Sequence, residues 1–332
     1  MDRRTFLIAA AGGVVSAAAI VRGGERVADK SAGKRATGKT KVALVKTADR
    51  VVGIGKAIEL LGSNPVQGKD VLLKPNFNTA DPFPGSTHNE TLEQLVLQLR
   101  SMGAKGITIG ERSGPPDTAD VLQDKGITEL CRKLGVGLID FETLPPGDWV
   151  RIKPERSSWR NGFEVARPVL ESPCVVTTCC LKTHAYGGVF TMSLKLSVGI
   201  TRKRNMTELH SSFLSMRKMI AEINQAYTPS LILLDGIEAF VDGGPGRGTR
   251  KQAEVILAGT DRIAIDAVGV AILKELGSNS AIMEKKIFDQ EQISRAVELG
   301  LGVSRPQDIE LVADDEAGKQ YAVRLRDILN EG

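Results

Sequence analysis

From Thr40 onward the chain alternates two patterns. Short runs of consecutive apolar residues are followed by longer stretches in which apolar positions recur every three or four residues. The first pattern predicts strands buried on both faces and the second predicts amphipathic helices. Residues 40–45 predict a first strand, and Ile54, Ala57, Ile58 and Leu61 a helix closed by Gly62. Residues 70–73 predict a second strand ending at Lys74-Pro75-Asn76. Thr87 with Glu90 then reads as a capping box for a helix whose face is Leu92, Leu95, Val96, Leu99 and Met102. Residues 107–110 predict a third strand, delivering Glu111 and Arg112 at its end.

The alternation continues with a helix over 127–134 and a strand over 137–141. A nearly apolar strand then begins at Cys174 and stops at Lys182-Thr183-His184. Residues 207–226 predict one helix with Leu209, Phe213, Met216, Ile220 and Ile223 on a single face. Strands follow at 231–234, ending in Asp235, and at 255–258, and Asp261 caps a helix to Leu276. Strands alternating with helices predict an α/β fold: a largely parallel sheet with helices on both faces, as one body or as two intertwined lobes. Residues 145–173, with Trp149 and Trp159, break the pattern and read as an insertion or a small hairpin.

Residues 1–21 stand apart from this scheme. Arg3-Arg4 precede a short, weakly hydrophobic run, and Ala17-Ala18-Ala19 suit a cleavage site. Paired arginines before such a run predict a twin-arginine export signal, the alternative being an uncleaved anchor. The run is too short and too rich in Ala and Gly to be a convincing span, so no stable membrane span is expected after cleavage. Residues 22–39 read as a flexible linker and 40–330 as the α/β domain. The expected location is periplasmic or otherwise extracytoplasmic, with the twin-arginine export machinery as a partner. That route carries folded proteins, so it permits a cofactor loaded before export without requiring one.

Composition narrows the function classes. At 332 residues, with 42% apolar and 25% charged, the chain can bury a core of ordinary globular character. Aromatics are only 4%, and part of the net charge of +4 sits in the first forty residues. That leaves neither a stacking platform nor a basic face for nucleic acid. Cys131, Cys174, Cys179 and Cys180 lack the spacings of a zinc or iron–sulfur site; they read as small buried hydrophobes or as disulfide partners.

In open parallel sheets, ligands bind beyond the carboxyl ends of the strands. The residues predicted there are Lys74 and Asn76, Glu111 and Arg112, Lys182 and His184, and Asp235 with Glu238. Three further features extend the set. Ala185-Tyr186-Gly187-Gly188 reads as a glycine loop feeding a helix that carries Lys195 among apolar neighbours, a geometry that offers backbone amides to an anion. Gly243, Gly244 and Gly246 permit close backbone approach to a ligand, or form a mobile turn. Asp266 interrupts an otherwise apolar helix, and a buried carboxylate must be paired, protonated or metal-bound. Its functional reading pairs it with Lys74, Lys182 or Lys195, and its structural one with a lysine or a backbone amide.

These motifs occur in a recognised order. Lys74-Pro75-Asn76, Gly110-Glu111, Leu181-Lys182-Thr183-His184, Ser193-Leu194-Lys195 with Gly199, His210, Asp235-Gly236, Gly243 to Gly248 and Asp261 to Asp266 resemble the family catalogued as domain of unknown function 362. The resemblance covers about residues 40 to 280 and implies a common fold and site without naming a reaction. Relatives often carry an asparagine directly after the helix lysine, where Leu196 stands here. Some members append a ferredoxin-like cysteine cluster, which this chain's cysteines do not form.

The expected function is an enzyme acting on a small anionic ligand, a carboxylate or a phosphate. Lys182, His184, Glu111 and Asp235 are its catalytic candidates. Lys74, Asn76, Lys195, Gly243, Gly244, Gly246 and Asp266 are its substrate-binding candidates. The alternatives are a non-catalytic periplasmic ligand-binding protein, or a metal or redox enzyme loaded before export. No cofactor is specified, and His184 with His210 are the candidate metal ligands. Lys182→Ala and His184→Ala are both expected to spare folding.

Overall fold

The apolar runs become the strands of one sheet. A computed structural model describes residues 39–332, so the expected signal and all but the last residue of the expected linker lie outside the described residues. The strands are β1 (Thr40–Lys46), β2 (Asp70–Lys74), β3 (Gly106–Glu111), β4 (Gly137–Asp140), β5 (Trp149–Ile152) and β6 (Phe163–Ala166). They continue with β7 (Cys174–His184), β8 (Val189–Thr191), β9 (Leu231–Gly243), β10 (Gly248–Gly259) and β11 (Ile309–Val312). Nine of them form one sheet in the order β11-β1-β10-β9-β7-β2-β3-β4, with β8 paired to β7. Pairing is parallel from β9 through β7, β2 and β3 to β4, and between β1 and β11. It is antiparallel where β10 joins β1 and β9, and where β8 joins β7. The sheet is therefore mixed, with mostly parallel strands.

Strand alternation sends successive side chains to opposite faces, and each face is covered. Ala43, Val45, Val71, Leu73, Val176, Leu233 and Ile256 pack with the helices Arg50–Leu61, Asn89–Ser101 and Ile127–Leu134. Val42, Leu44, Leu181, Leu234 and Leu257 pack on the opposite side with the helices Arg262–Glu275 and Glu316–Glu331. The run from Arg262 to Leu273 is buried throughout, which is why that helix is apolar on nearly every face. Asp261 caps it by accepting from the Ile263 and Ala264 amides. Beside the main sheet, β5 and β6 form a small antiparallel pair, the hairpin expected between 145 and 173.

β7 spans the expected Cys174–His184, its last three residues held where β8 folds back and pairs Lys182, Thr183 and His184 with Thr191, Phe190 and Val189. Three local expectations change. The strand expected to end at Asp235 continues to Gly243, held by its hairpin partner β10. The single helix over 207–226 is two helices, Asn205–Ser211 and Met216–Ile223. Ser211 and Ser212 end the first, the Ser211 hydroxyl donating back to the Glu208 carbonyl. Phe213 and Leu214 are 60% and 82% exposed between the two helices instead of lying on a buried face. Finally, the cap at the second helix is not a Thr87–Glu90 box. His88 accepts from the Glu90 amide, while the Thr87 hydroxyl accepts from the Asn76 amide.

The four cysteines are free and buried. Cys179 and Cys180 are strand neighbours facing opposite sides of the sheet, their thiols pushed up by burial. Among the described residues no helix is long and apolar enough to cross a membrane.

Candidate functional site

A cavity of about 40 Å³ opens beyond the carboxyl ends of β2, β3 and β7. That is room for roughly three waters. Its walls carry Lys74, Asn76, Glu111, Lys182, His184 and Lys195, together with Arg112, Asn78, Thr191, Leu196, Val198, Gly199 and Pro245.

Lys74, at the last position of β2, is buried and donates to Glu111 Oε1 at 2.5 Å and to the Pro75 carbonyl at 2.6 Å. Glu111, at the last position of β3, also accepts from the Phe77 and Arg112 amides. Burial pulls the Lys74 ammonium down and pushes the Glu111 carboxyl up, and each opposes the other's shift by its own charge. The pair lies so close to the backbone at Gly199 that a Cβ there would sit 2.8 Å from Lys74 Nζ and 3.1 Å from Glu111 Oε1. Arg112 is fixed by the carbonyls of Thr201, Ser113 and Val198. Burial lowers its guanidinium to about 10, so it stays charged near neutral pH.

Lys182 is wholly buried in β7. Its ammonium donates to the Gly85 carbonyl and, at 3.2 Å, to that of Pro245. It thus ties β7 to the loop after β2 and to the β9–β10 turn. Truncating it would leave the buried Gly85 carbonyl and the part-buried Pro245 carbonyl without this donor, so Lys182→Ala is expected to cost folding stability instead of sparing it. An ammonium has three donors, so Lys74 and Lys182 each keep one for the cavity they line.

Lys195 differs from both. It is half-buried on the short helix Ser193–Leu196, and among the described residues its ammonium has no hydrogen-bond or ion-pair partner. Burial, followed by the charges of Lys182 and Arg112, lowers it to about 7. The helix beneath it is held at both ends by the buried helix Arg262–Glu275. Asp266 accepts from the Ser193 and Leu194 amides at 2.7 and 3.0 Å. Arg262 orients Asn224, which donates to the Leu194 carbonyl. Asp266 is thus paired with backbone amides rather than with a lysine. Burial pushes its carboxyl up to about 7 against the pull of those two amides.

His184 closes β7 and faces the same space. A Cβ on Gly188 would lie 2.8 Å from Lys195 Cε and 3.0 Å from His184 Nδ1, so the two groups are neighbours across that glycine. Burial, then Lys195 and Lys182, lowers the imidazole to about 2, leaving it neutral. Among the described residues its Nδ1 has no partner, and neither do Asn76 Oδ1 and Thr191 Oγ1. All three residues are more than nine-tenths buried and line the cavity. Orphaned polar atoms converging on one small space mark a place that a polar ligand completes.

The remaining candidates lie elsewhere. Asp235 accepts from Arg50, Thr91 and the Ile237 amide, away from the cavity lining. The glycine segment is the β9–β10 turn, with Gly243 and Gly244 at positive φ. A Cβ on Gly244 would fall 2.0 Å from the Thr183 carbonyl, and one on Gly246 2.2 Å from Asp81. The close approach is therefore to protein, and it delivers Pro245 to the cavity. The Gly187-Gly188 loop joins two paired strands rather than feeding a helix. His210 is exposed and bonded to the Met206 carbonyl. Among the described residues no three His, Cys, Asp or Glu side chains gather as a metal site. Sequence reasoning missed Asn78, Thr191 and Pro245, which carry no charge to flag them. Arg112 was visible as a strand-end cation.

Residues 71–271 match the family model described as Domain of unknown function (DUF362). The thylakoid-associated protein sll1697 of Synechocystis sp. is 25% identical over 265 residues, covering 77% of this chain and 78% of that protein. The lactate racemase apoprotein of Thermoanaerobacterium thermosaccharolyticum aligns with a TM-score of 0.43 and 11% identity, covering 88% of this chain and 86% of that one. No site residue is carried over from either.

Proposed function

The chain belongs to the family of the domain of unknown function DUF362, whose match spans every cavity residue from Lys74 to Pro245, and within that family we propose that it is an enzyme acting on a small carboxylate or phosphate anion. One observation carries the reading. Lys74, Lys182, Lys195 and Arg112 share a cavity with a single carboxylate, Glu111, and among the described residues the Lys195 ammonium has no partner of its own. A bound anion supplies the missing charge and takes up the spare donors of Lys74 and Lys182. Lys195 and His184 are the groups free to exchange a proton with it. As part of the same proposal, Arg3, Arg4 and the run after them support export by the twin-arginine route.

The anion site makes a pH prediction. Facing Lys195 are Lys182 and His184 from β7, Arg112 and Glu111 from β3 and the residue after it, and Lys74 from β2. Lys195 changes charge close to neutrality, at about 7. A bound anion favours the ammonium, so affinity is highest below that value and falls as pH rises through it. Sulfate and acetate keep a constant charge across this range. Each is expected to raise the melting temperature more at about pH 6 than at about pH 8. Lys195→Met should weaken binding by about 10- to 100-fold, the worth of one buried charged hydrogen bond, and flatten the pH dependence. Absence of any shift with either anion, or a larger one at the higher pH, overturns the anion site.

A non-catalytic binder would use the same cations without needing the imidazole. His184→Ala is therefore expected to keep sulfate and acetate affinity within about twofold while losing turnover of any substrate the wild-type chain converts. Undiminished turnover removes His184 from the chemistry.

A further inference from the structure

We propose that Lys195 is a nucleophile that forms an imine with a small 2-oxo acid, so that the ligand carries a carbonyl as well as a carboxylate. This deepens the anion-site reading above and rests on it. Three observations point to the carbonyl. First, Lys195 is the cavity ammonium that nothing among the described residues engages, whereas Lys74 and Lys182 are each held by two partners. A lysine used only to hold an anion gains from being pinned in place; one that must reach and bond a carbon gains from being left free. Second, its helix is fixed from below by Asp266 and Asn224, so the backbone is held while the side-chain end remains available. Third, cations crowd it. Burial beside Lys182 and Arg112 favours the neutral amine, the nucleophilic form, near physiological pH.

The step balances without an external oxidant or reductant. Lys195 Nζ attacks the carbonyl carbon, and the carbonyl oxygen takes up a proton to give a carbinolamine. Loss of that hydroxyl with a proton as water leaves the carbon–nitrogen double bond. The attacking nitrogen must release a proton and the departing hydroxyl must receive one. His184, neutral, unpartnered at Nδ1 among the described residues and adjacent to the Lys195 side chain, is placed to relay it as a neutral ring, accepting at Nδ1 as it releases from Nε2, without passing through the imidazolium that its surroundings disfavour. The substrate carboxylate meets the spare donors of Lys74 and Lys182. With about 40 Å³ available, the acids that fit are the smallest, of glyoxylate or pyruvate size.

The test is reductive trapping on the full chain. Glyoxylate or pyruvate is added with sodium cyanoborohydride near neutral pH, and adducts are located by intact mass and peptide mapping. The expected result is one reduced adduct on Lys195, formed on the order of a hundredfold faster than on exposed lysines such as Lys105, because burial beside Lys182 and Arg112 favours the neutral Lys195 amine. Lys195→Arg, which keeps the charge but cannot form the imine, is expected to lose that adduct. If this variant does not fold, excess acetate must instead slow labelling of Lys195 in the wild-type chain. Labelling of Lys195 no faster than of Lys105, or labelling that acetate does not slow, overturns the inference. Melting curves separate the two levels of failure. Stabilisation by acetate and glyoxylate without trapping rejects the imine and keeps the anion site, whereas no stabilisation by either rejects both.

Discussion

Glu111→Ala is expected to cost about 3–5 kcal/mol of folding stability, because it strands a buried ammonium rather than merely deleting a bond. Lys74 is 2% exposed, and among the described residues Glu111 is its only carboxylate partner. The same carboxylate holds the Phe77 and Arg112 amides, so its removal also leaves two backbone donors to find acceptors. Against a total stability of about 5–15 kcal/mol, a loss of that size brings the chain close to unfolding. Urea denaturation measures it. The double variant Lys74→Met, Glu111→Ala should recover part of the loss, since the uncompensated charge is then gone. A single-variant cost under about 1 kcal/mol, or a double variant no better than the single, would show that water reaches the pair and that the cavity is wetter than described.

Asp266→Ala is expected to be the next most damaging change, at about 2–6 kcal/mol, the cost of two buried amides left without an acceptor. Those amides belong to Ser193 and Leu194, the residues directly before Lys195. The substitution should therefore do more than destabilise. With its helix released at one end, Lys195 loses its fixed place, and sulfate affinity should fall even under conditions where the variant is fully folded. Asp266→Asn keeps one acceptor oxygen and should fall between the two. Calorimetric titration with sulfate below the unfolding transition reads the second effect. Wild-type affinity in a folded Asp266→Ala protein would mean that Asp266 supports the fold without positioning the site.

These two residues also show how differently the sequence disclosed the site. Lys74 and Glu111 were legible because each ends a short apolar run, and the end of a parallel strand is where burial gives way to ligand-accessible space. Their pairing was not legible, since it depends on β2 and β3 being neighbours in register. Asp266 was legible as an anomaly, a carboxylate inside an apolar helix, but its partners are backbone amides, which no residue type announces. Asp235 looked equivalent to Glu111 by position, yet its oxygens are used by Arg50 and Thr91. The glycines at 243, 244 and 246 suggested close approach, and the approach exists, but to Thr183 and Asp81. Phe213 matched a helical face by spacing, and the adjacent serines broke the helix before that spacing could matter.

What the sequence determined by itself is the alternation of strands and helices, the predominance of parallel pairing and the set of cations at strand ends. All of these follow from local periodicity and from the cost of burying charge within an apolar run. Tertiary structure alone decided which cations are committed and which is free. Lys182 and Lys195 look alike along the chain, each a lysine among apolar residues. Carbonyls from two distant loops converge on the first, and no hydrogen-bond or ion-pair partner among the described residues reaches the second. Hydrogen bonding depends on separations of a few ångströms between groups far apart in the chain, and only the folded backbone sets those separations.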